Sequence, residues 1–566
     1  MFKAIQNENL IMDHSSAVKE GISRAPHRSL LRADGLKDED FKKPFVGIAN
    51  SFTEVVPGHV HLRELVEHVK EGIKAEGGVP FEFNTIAVDD GIAMGHVGMK
   101  FSLPSREVIA DSVEIMVKAH QFDALVTLSS CDKITPGMLM AAARLDIPTV
   151  MVTGGAMKAG IYKDKKVGLI DVFEAVGKYN SGEMSEQEVL EIERAACPGA
   201  GSCSGLFTAN TMAILVESMG LALPYGGTAL ATSEQRKKIA FESGRTVVML
   251  LRDGATARRF MTRGAFRNAI AVDMALGGST NTILHLLAAA NEAEINLTLD
   301  DFNEIGNSVP HIAPVYPGGP YMIEDLHDAG GVPAIMKAVK NKLELDLPTV
   351  SGLDVGEIIE NAAIGNAEII RGQSNPVHRT GGIAILKGNL APNGSVIKVG
   401  ALRENYRFTG KAVAFDSEEE AFKAVVGGKI QPGHVIVIRY EGPKGGPGMR
   451  EMLDITSAVV GMKIDDGVAL ITDGRFSGGT RGPAVGHISP EAWDCGPIAL
   501  VNDDDIIEID VPGRRLSLKV SDEELKARKE RWVRPKIKTD SPLLKRYSHL
   551  VTSSDMGCVM RKDFYG

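Results

Sequence analysis

The first segment suited to chemistry joins a thiol, a carboxylate and an amine. Cys131, Asp132 and Lys133 directly follow a short apolar run and precede a helical pattern. These groups would leave the end of a strand together, near a helix N-terminus, and such an end favours thiolate over thiol. A buried structural cysteine beside a solvated acid–amine pair fits the same residues, so the pattern leaves both interpretations open.

A second segment places two thiols around a glycine-rich turn. Cys197 and Cys203 enclose the sequence CPGAGSC, and five residues between the thiols are too many for a usual zinc half-site. Glycine-rich backbone can approach a sulfide-bridged cluster closely, and its amides can hydrogen-bond the sulfurs. The alternative is a glycine turn with two incidental cysteines.

Paired acids at one further place could bind a divalent metal ion, since Asp89 and Asp90 directly follow an apolar run. Separately, Glu451 ends the glycine-dense loop 441–451. Carboxylate oxygens are the ligands that Mg²⁺ prefers. A helix-capping aspartate and a surface turn are the simpler interpretations of the same residues.

Two glycine-rich segments carry hydroxyl groups. Ser477 lies in the segment 472–480, TDGRFSGGT, where its hydroxyl could face a ligand, although the Gly-x-Ser-x-Gly spacing of a nucleophile elbow is absent. The segment 277–281, GGSTN, opens a predicted helix and could offer amides to an anion such as a carboxylate. A simple helix cap explains the second segment equally well.

Alternating strands and helices must position most of these groups. Short apolar runs at 45–49, 84–88, 124–128 and 148–152 indicate buried strands, and helical periods separate them, at 60–76, 104–120, 136–145, 208–221 and 281–293. This order predicts a three-layer α/β domain with a parallel sheet, in which ligands bind at the carboxyl ends of the strands.

The pattern changes near residue 380. Segments 382–387, 395–402, 434–440, 467–473 and 505–519 are rich in β-formers bounded by turn residues. We therefore predict an α/β domain over 1–380, with the cysteines and most acidic candidates, and a smaller β-rich domain over 381–566, with Glu451 and Ser477.

Composition excludes several classes of protein. The 566 residues contain 63 Lys and Arg against 73 Asp and Glu, a net charge of −10, and this acidic balance argues against nucleic-acid binding. No apolar run is long enough to span a membrane. We expect no signal peptide in the N-terminal segment, and five cysteines do not suggest a disulfide framework. The sequence thus predicts a cytoplasmic protein with reduced thiols.

Eight motifs occur in an order that resembles the dihydroxy-acid dehydratase family of iron–sulfur enzymes. They are NSFTEVVPGHVHL, NTIAVDDGIAMGH, LPSRE, SSCDKITPGM, CPGAGSCSG followed by TANTM, MALGGSTNT, EGPKGGPGMREML and ITDGRFSGGT. The resemblance runs from about residue 15 to 556. Sugar-acid dehydratases such as phosphogluconate dehydratase share the superfamily and its CDK element.

The resemblance implies an α/β domain followed by a swivelling β-rich domain, with the active site between them and a homodimeric enzyme. It implies the following roles: Cys131 and Cys203 as cluster ligands, Asp90, Asp132 and Glu451 as Mg²⁺ ligands, Lys133 as a carbamate that bridges to the metal, and Ser477 as general base. For Lys133 an ammonium paired with Asp132 or with the substrate is the plain alternative.

One departure from the family pattern leaves the cluster type open. Many relatives have a third cysteine ligand where this chain has Gly58, and members with glycine there are described with a [4Fe–4S] cluster rather than [2Fe–2S]. We predict Cys197 as the third ligand, because it lies six residues before Cys203. Cys495 and Cys558 fall outside the motifs and are interpreted as structural.

The reaction that the resemblance implies is the dehydration of 2,3-dihydroxyisovalerate and 2,3-dihydroxy-3-methylvalerate to 2-oxo acids, in valine and isoleucine biosynthesis. Cluster iron would act as Lewis acid for the 3-hydroxyl, Mg²⁺ would hold the carboxylate and 2-hydroxyl, and Ser477 would take the C2 proton. The alternative is a sugar-acid dehydratase with the same metals. A non-catalytic iron–sulfur sensor would need a basic face, and an electron carrier would not need the Mg²⁺ carboxylates.

Overall fold

The computed structural model describes residues 13–480 and 482–562, so the segment 1–12, where we expect no signal peptide, lies outside them. Among the described residues, no helix is long and apolar enough to cross a bilayer. The chain forms an α/β unit with a parallel sheet and a β-rich unit built on a closed barrel. The swivelling of the second unit and the boundary at 380 stay predictions.

The parallel sheet has four strands in the order β2-β1-β3-β4. Their bounds are β1 Phe45–Asn50, β2 Val79–Asn84, β3 Ala124–Ser129 and β4 Thr149–Thr153, and a separate hairpin is formed by β5 Gly160–Tyr162 and β6 Lys165–Val167. The expectation of a strand at 84–88 is wrong, because β2 ends at Asn84. This edge strand is mostly half-exposed and therefore less apolar than the loop that follows it.

Helices pack against the sheet and against one another. The side chains of Val46 in β1, Ile73 and Val248 all lie close to Gly78. Ile73 and Val248 belong to two helices that are in contact with each other. The helices of this unit are α1 Ser16–Lys19, α2 Ala25–Ala33, α3 Leu62–Ala75, α4 Asp90–Ala93, α5 Ser102–His120, α6 Ile134–Leu145, α7 Leu169–Asn180, α8 Glu186–Ala196, α9 Thr208–Ser218, α10 Glu234–Arg252, α11 Ala257–Phe260, α12 Arg263–Leu276, α13 Asn281–Glu292, α14 Leu299–Ser308, α15 Ile323–Asp328, α16 Gly331–Ala338 and α17 Val355–Glu360.

The β-rich unit is an eight-stranded barrel with the order β10-β12-β14-β8-β7-β16-β15-β9. The elements of this unit are β7 Ile383–Gly388, β8 Ala391–Lys398, β9 Arg407–Phe415, α18 Glu418–Val426, β10 His434–Ile438, β11 Glu451–Met452, α19 Asp454–Gly461, β12 Ala469–Thr472, β13 Arg475–Phe476, β14 Ala484–Ser489, β15 Ile506–Asp510, β16 Arg515–Leu518, α20 Asp522–Arg531 and α21 Pro542–Leu550. The sequence did not predict β9 or β14, and the predicted segment 505–519 is a hairpin of two strands.

Alternation along the barrel strands separates two hydrophobic cores. In β10, Val435 and Val437 belong to the core inside the barrel, whereas Ile436 and Ile438 join a second core with residues of α18 and α19. Successive strand residues point to opposite faces, and this period of two produces the division. Both faces of the strand are buried, which explains its continuous apolar sequence.

The two units share packed surface. Ile383 and Ile385 of β7 belong to the core of the α/β unit, while Ala384 between them faces the barrel. Arg106 of α5 donates to the carbonyls of Gly557 and Cys558, which lie near the C-terminus, at 2.9 and 2.8 Å. These contacts bring loops of the β-rich unit over the carboxyl ends of the parallel strands.

Candidate functional site

A cavity of about 210 Å³ lies where the two units meet. Both units contribute to its wall, the α/β unit through loops after β2 and β3 and the β-rich unit through its loops near β11 and β13. The sequence-predicted residues that line it are Asp90, Cys131, Asp132, Cys197, Cys203, Glu451 and Ser477. Residues from five remote segments therefore meet at one place, and Gly58 lies in the same wall.

The loop after β2 uses its two acids differently. Asp89 is the N-cap of α4 and accepts from the backbone N–H of Ile92 at 3.0 Å. Asp90 begins the helix and is buried, with its Oδ1 accepting from Ser102 Oγ at 2.8 Å. The capping interpretation thus holds for Asp89, while Asp90 is free to join other carboxylates.

Three buried or half-buried carboxylates form a cluster. One oxygen from each of Asp90, Asp132 and Glu451 lies within 4.8 Å of the others. Lys133 Nζ contacts all three, at 2.5 Å from Asp90 Oδ2, 2.8 Å from Glu451 Oε1 and 3.5 Å from Asp132 Oδ2. The amine of Lys133 therefore lies among all three carboxylates.

Two further residues hold Glu451, and the sequence analysis did not single out either of them for this. Asn281 Nδ2 and Arg475 Nη1 donate to Glu451 Oε1 at 2.8 and 2.6 Å, in addition to the Lys133 contact. Glu451 Oε1 therefore accepts from three donors. The GGSTN segment thus acts on the site through Asn281, and its spacing alone could not show this contact.

Burial controls the charges in this cluster. It disfavours the charge on Lys133, as does the guanidinium of Arg475, yet the nearby carboxylates outweigh both and raise the pKa of the amine. For Asp132, burial raises the pKa of the carboxyl despite the opposing effect of Lys133. A low-dielectric site of this kind strengthens every charge interaction inside it.

The three thiols line the same cavity as the acids. Burial, followed by the charge of nearby aspartates, raises the pKa of Cys131 and of Cys203 well above the ordinary range. The expectation that a helix end favours the thiolate is therefore wrong, because α6 begins only at Ile134 and burial dominates. Cys197 is exposed, and burial of part of its side chain also raises its pKa. A metal binds the thiolate form, so a bound metal would favour loss of the proton from these thiols.

Two residues of the PGHVHL segment shape the cluster side of the cavity. His59 Nδ1 donates to the Ser51 carbonyl at 2.7 Å, so its Nε2 accepts from the Cys131 N–H at 3.1 Å. Burial lowers the pKa of His59 to about 4, which keeps the ring neutral for this role. A Cβ added at Gly58 would lie 2.9 Å from Cys131 Sγ. The position at which many relatives have cysteine is thus adjacent to a candidate ligand.

Ser477 lies in the turn after β13. Its N–H donates to the Met452 carbonyl at 3.1 Å, and its Oγ accepts from the Gly479 N–H at 3.3 Å. The hydroxyl therefore has one fixed donor, and the residue lines both the main cavity and a smaller one behind the turn.

An apolar wall completes the cavity, and the sequence analysis missed it. The helix α7 supplies Leu169, Ile170 and Phe173. The other apolar residues of the wall are Ile92, Met94, Met157, Phe207, Ala209 and Leu453. The run LIDVFEAVGKYN has helical spacing that could have predicted α7, but not that its apolar face borders a cavity.

The donor set fits two different inorganic groups. Thiol sulfurs are soft ligands that suit iron–sulfur clusters, whereas carboxylate oxygens are hard ligands that suit Mg²⁺. Among the described residues, the carboxylates are close enough to bind one ion together, and the three thiols are not part of that or any other such group. Thiols that line one cavity without being close enough to bind one ion together are consistent with a cluster rather than a single ion.

Comparison with known proteins matches nearly the whole chain to one family. The family model of the dihydroxy-acid/6-phosphogluconate dehydratase N-terminal region matches residues 43–358, and the model of the C-terminal region matches residues 368–558. The dihydroxy-acid dehydratase of Methanobrevibacter smithii is 55% identical over 549 residues, 97% of this chain and 100% of the relative. The dihydroxy-acid dehydratase of Pyrococcus furiosus is 54% identical over the same shares of both chains. The chain therefore belongs to the dihydroxy-acid/6-phosphogluconate dehydratase family.

Proposed function

We propose that the protein dehydrates 2,3-dihydroxy-3-methyl acids to 2-oxo acids in valine and isoleucine biosynthesis. The observation that carries this proposal is the composition of one cavity: thiols and carboxylates on its polar side and an apolar wall facing them. Relatives of the same length, more than half identical over 97% of the chain, bear the name dihydroxy-acid dehydratase.

The two metal groups of this reaction have matching ligands in the chain. Cys131, Cys203 and Cys197 would hold the iron–sulfur cluster, and Asp90, Asp132 and Glu451 would hold Mg²⁺. When bound, these groups supply Lewis acids for the leaving 3-hydroxyl and for the carboxylate and 2-hydroxyl of the substrate. Whether Lys133 becomes a carbamate stays a prediction; its amine already lies among the three carboxylates.

Ser477 is the proposed base. The C2–H bond breaks and its proton moves to Ser477 Oγ, the electron pair forms the C2–C3 double bond, and the 3-hydroxyl departs as hydroxide. The hydroxide takes up the proton that Ser477 received and leaves as water. The enol then becomes the 2-oxo acid. A serine hydroxyl performs this step only when its negative form is stabilised, and the Gly479 N–H supplies one donor for that purpose.

The cavity wall decides between the two substrate classes of the family. A 3-methyl or 3-ethyl branch would bury apolar surface against Leu169, Ile170 and Phe173. The remaining hydroxyls of a sugar acid would lose water there without gaining partners. Among the described residues, no Lys or Arg lines the cavity to pair with a phosphate.

A homodimer and a swivelling β-rich unit complete the proposal, and both derive from the family resemblance. The second unit supplies Glu451 and Ser477 to a cavity whose thiols belong to the first, so any relative movement of the units would open or close the site.

Substrate preference tests the proposed function directly. We expect anaerobically purified, iron-loaded protein to convert 2,3-dihydroxyisovalerate with a kcat/KM at least about 10²-fold higher than that for 6-phosphogluconate, because buried unpaired hydroxyls are costly. Formation of the two 2-oxo acids is measured side by side. A preference for 6-phosphogluconate or gluconate would identify the protein as a sugar-acid dehydratase instead.

The cluster ligands are tested by iron content. We expect Cys131→Ser and Cys203→Ser to lose iron, the visible absorption and activity together, because each removes a thiolate ligand. Cys197→Ala decides the third ligand, and reduced iron with an altered spectrum is expected. The matched control is Cys495→Ala, which removes a thiol that does not line the cavity. A Cys197→Ala protein with native iron and spectrum would exclude that residue.

A pair of glycine variants tests where the cluster lies. Gly58→Ala adds a methyl group 2.9 Å from Cys131 Sγ and 3.2 Å from Ser130 Oγ. Overpacking of this kind costs about 1–3 kcal/mol, and we expect it to lower iron retention while the protein stays folded. Gly199→Ala is the control, since its Cβ meets no atom within 4 Å on the Cys197–Cys203 turn. Equal iron retention in both variants would contradict a cluster beside Gly58.

Ser477→Ala tests the base. We expect turnover to fall at least ~10²-fold, the low end for a positioned acid–base group, with iron and Mg²⁺ content unchanged. Turnover is measured together with metal content on the same preparation. Near-native turnover would eliminate Ser477 as the base.

A further inference from the structure

A buried lysine lies behind the Ser477 turn and has no role in the proposed reaction. Lys398 ends strand β8 and is only 7% exposed. Its Nζ donates to the Gly478 carbonyl at 3.1 Å. Lys398 and Ser477 also line the same small cavity on the far side of the turn. The turn that carries the proposed base is thus held from behind by a cation.

The contact becomes informative because of the peptide group it engages. The carbonyl of Gly478 and the N–H of Gly479 belong to one peptide unit. Lys398 binds the oxygen of this unit, and the N–H of the same unit donates to Ser477 Oγ at 3.3 Å. Hydrogen bonds in such a chain polarise one another, so a cation on the carbonyl makes the N–H a stronger donor.

The surroundings of Lys398 preserve its charge. Burial lowers the pKa of the lysine to about 8, and the carboxyl group of Asp273 in α12 opposes this effect. Since that value lies above neutral pH, the amine is mostly protonated. The other group that senses its charge is His311, whose pKa is lowered to about 3, mainly by burial, so the ring is neutral. Burial also raises the pKa of Asp273, to about 7.

We propose that Lys398 is a positioning residue for the base: its ammonium group acts through the Gly478–Gly479 peptide to strengthen the one backbone donor that stabilises negative charge on Ser477 Oγ. This inference rests on the proposed role of Ser477. It supplies a stabilising contribution that comes from the protein alone, and it explains why a glycine pair follows the serine: the turn folds back on its own hydroxyl while a side chain at Gly478 would meet Ser279 Oγ at 2.9 Å.

The test compares Lys398→Met with the native enzyme on ordinary substrate and on substrate deuterated at C2. We expect kcat to fall about ten-fold, less than for loss of a direct donor, with KM nearly unchanged. The isotope effect on kcat should rise, because a less stabilised negative form of Ser477 makes proton removal more strongly rate-limiting. Iron content and visible absorption should stay native, which a merely structural defect would not allow.

Two companion variants separate the charge from the hydrogen bond. Lys398→Arg keeps the cation and should restore most of the turnover with a near-native isotope effect. Lys398→Gln keeps a donor to Gly478 without the charge and should behave like the methionine variant; it also carries the test if Lys398→Met fails to fold. Lys19→Met is the matched control, because Lys19 is 8% exposed, also donates to a backbone carbonyl, that of Lys43, and lines neither cavity.

The outcomes distinguish this inference from the proposed function. Native turnover and isotope effect in folded Lys398→Gln, beside a slow Ser477→Ala, would overturn the role of Lys398 and leave Ser477 as base. Lower turnover with an unchanged isotope effect and less iron would overturn it as well, in favour of a structural role. Native turnover in Ser477→Ala would remove the base itself and the inference with it.

Discussion

The architecture depends on a buried charge cluster in which Lys133 contacts three carboxylates from remote parts of the chain and Arg475 pairs with one of them, Glu451. Taking such charges out of water is expensive, and removing one partner of a buried pair costs about 3–5 kcal/mol. The two cations offset part of this cost. Glu451 comes from the β-rich unit and Asp90 from the α/β unit, so the same contacts that satisfy the charges also join the two units.

The division of the cavity by ligand type gives the site its chemical logic. Thiol ligands line the cavity next to Gly58, which leaves space against Cys131, and oxygen ligands cluster around Lys133. Soft and hard donors select different metals without competing for one. The helix α7 adds apolar residues, among them Phe173, to the wall of the same cavity.

Local patterns predicted much of this molecule correctly. Apolar runs and turn residues indicated β1, β3, β4 and most barrel strands, and the order of elements predicted a parallel sheet followed by a β-rich unit. The segment 84–88 was mistaken for a strand because it is apolar, yet β2 ends at Asn84 and Ile86 beyond it is exposed. The thiolate preference of Cys131 was also misjudged, since its burial, which no local pattern reports, outweighs the helix terminus.

The amino-acid sequence by itself determined which residue types are available and near which strand or helix end each one lies. Strand and helix ends depend on neighbours a few positions away. Tertiary structure alone decided which of them meet. Asn281, Arg475 and Lys398 show no motif that assigns them to Glu451 or to the Ser477 turn, because contacts across 24 to 170 residues arise only when the sheet, the barrel and the loops between them pack. Burial, which raises the pKa of Cys131, Cys203 and Asp132, is likewise a property of the packed whole.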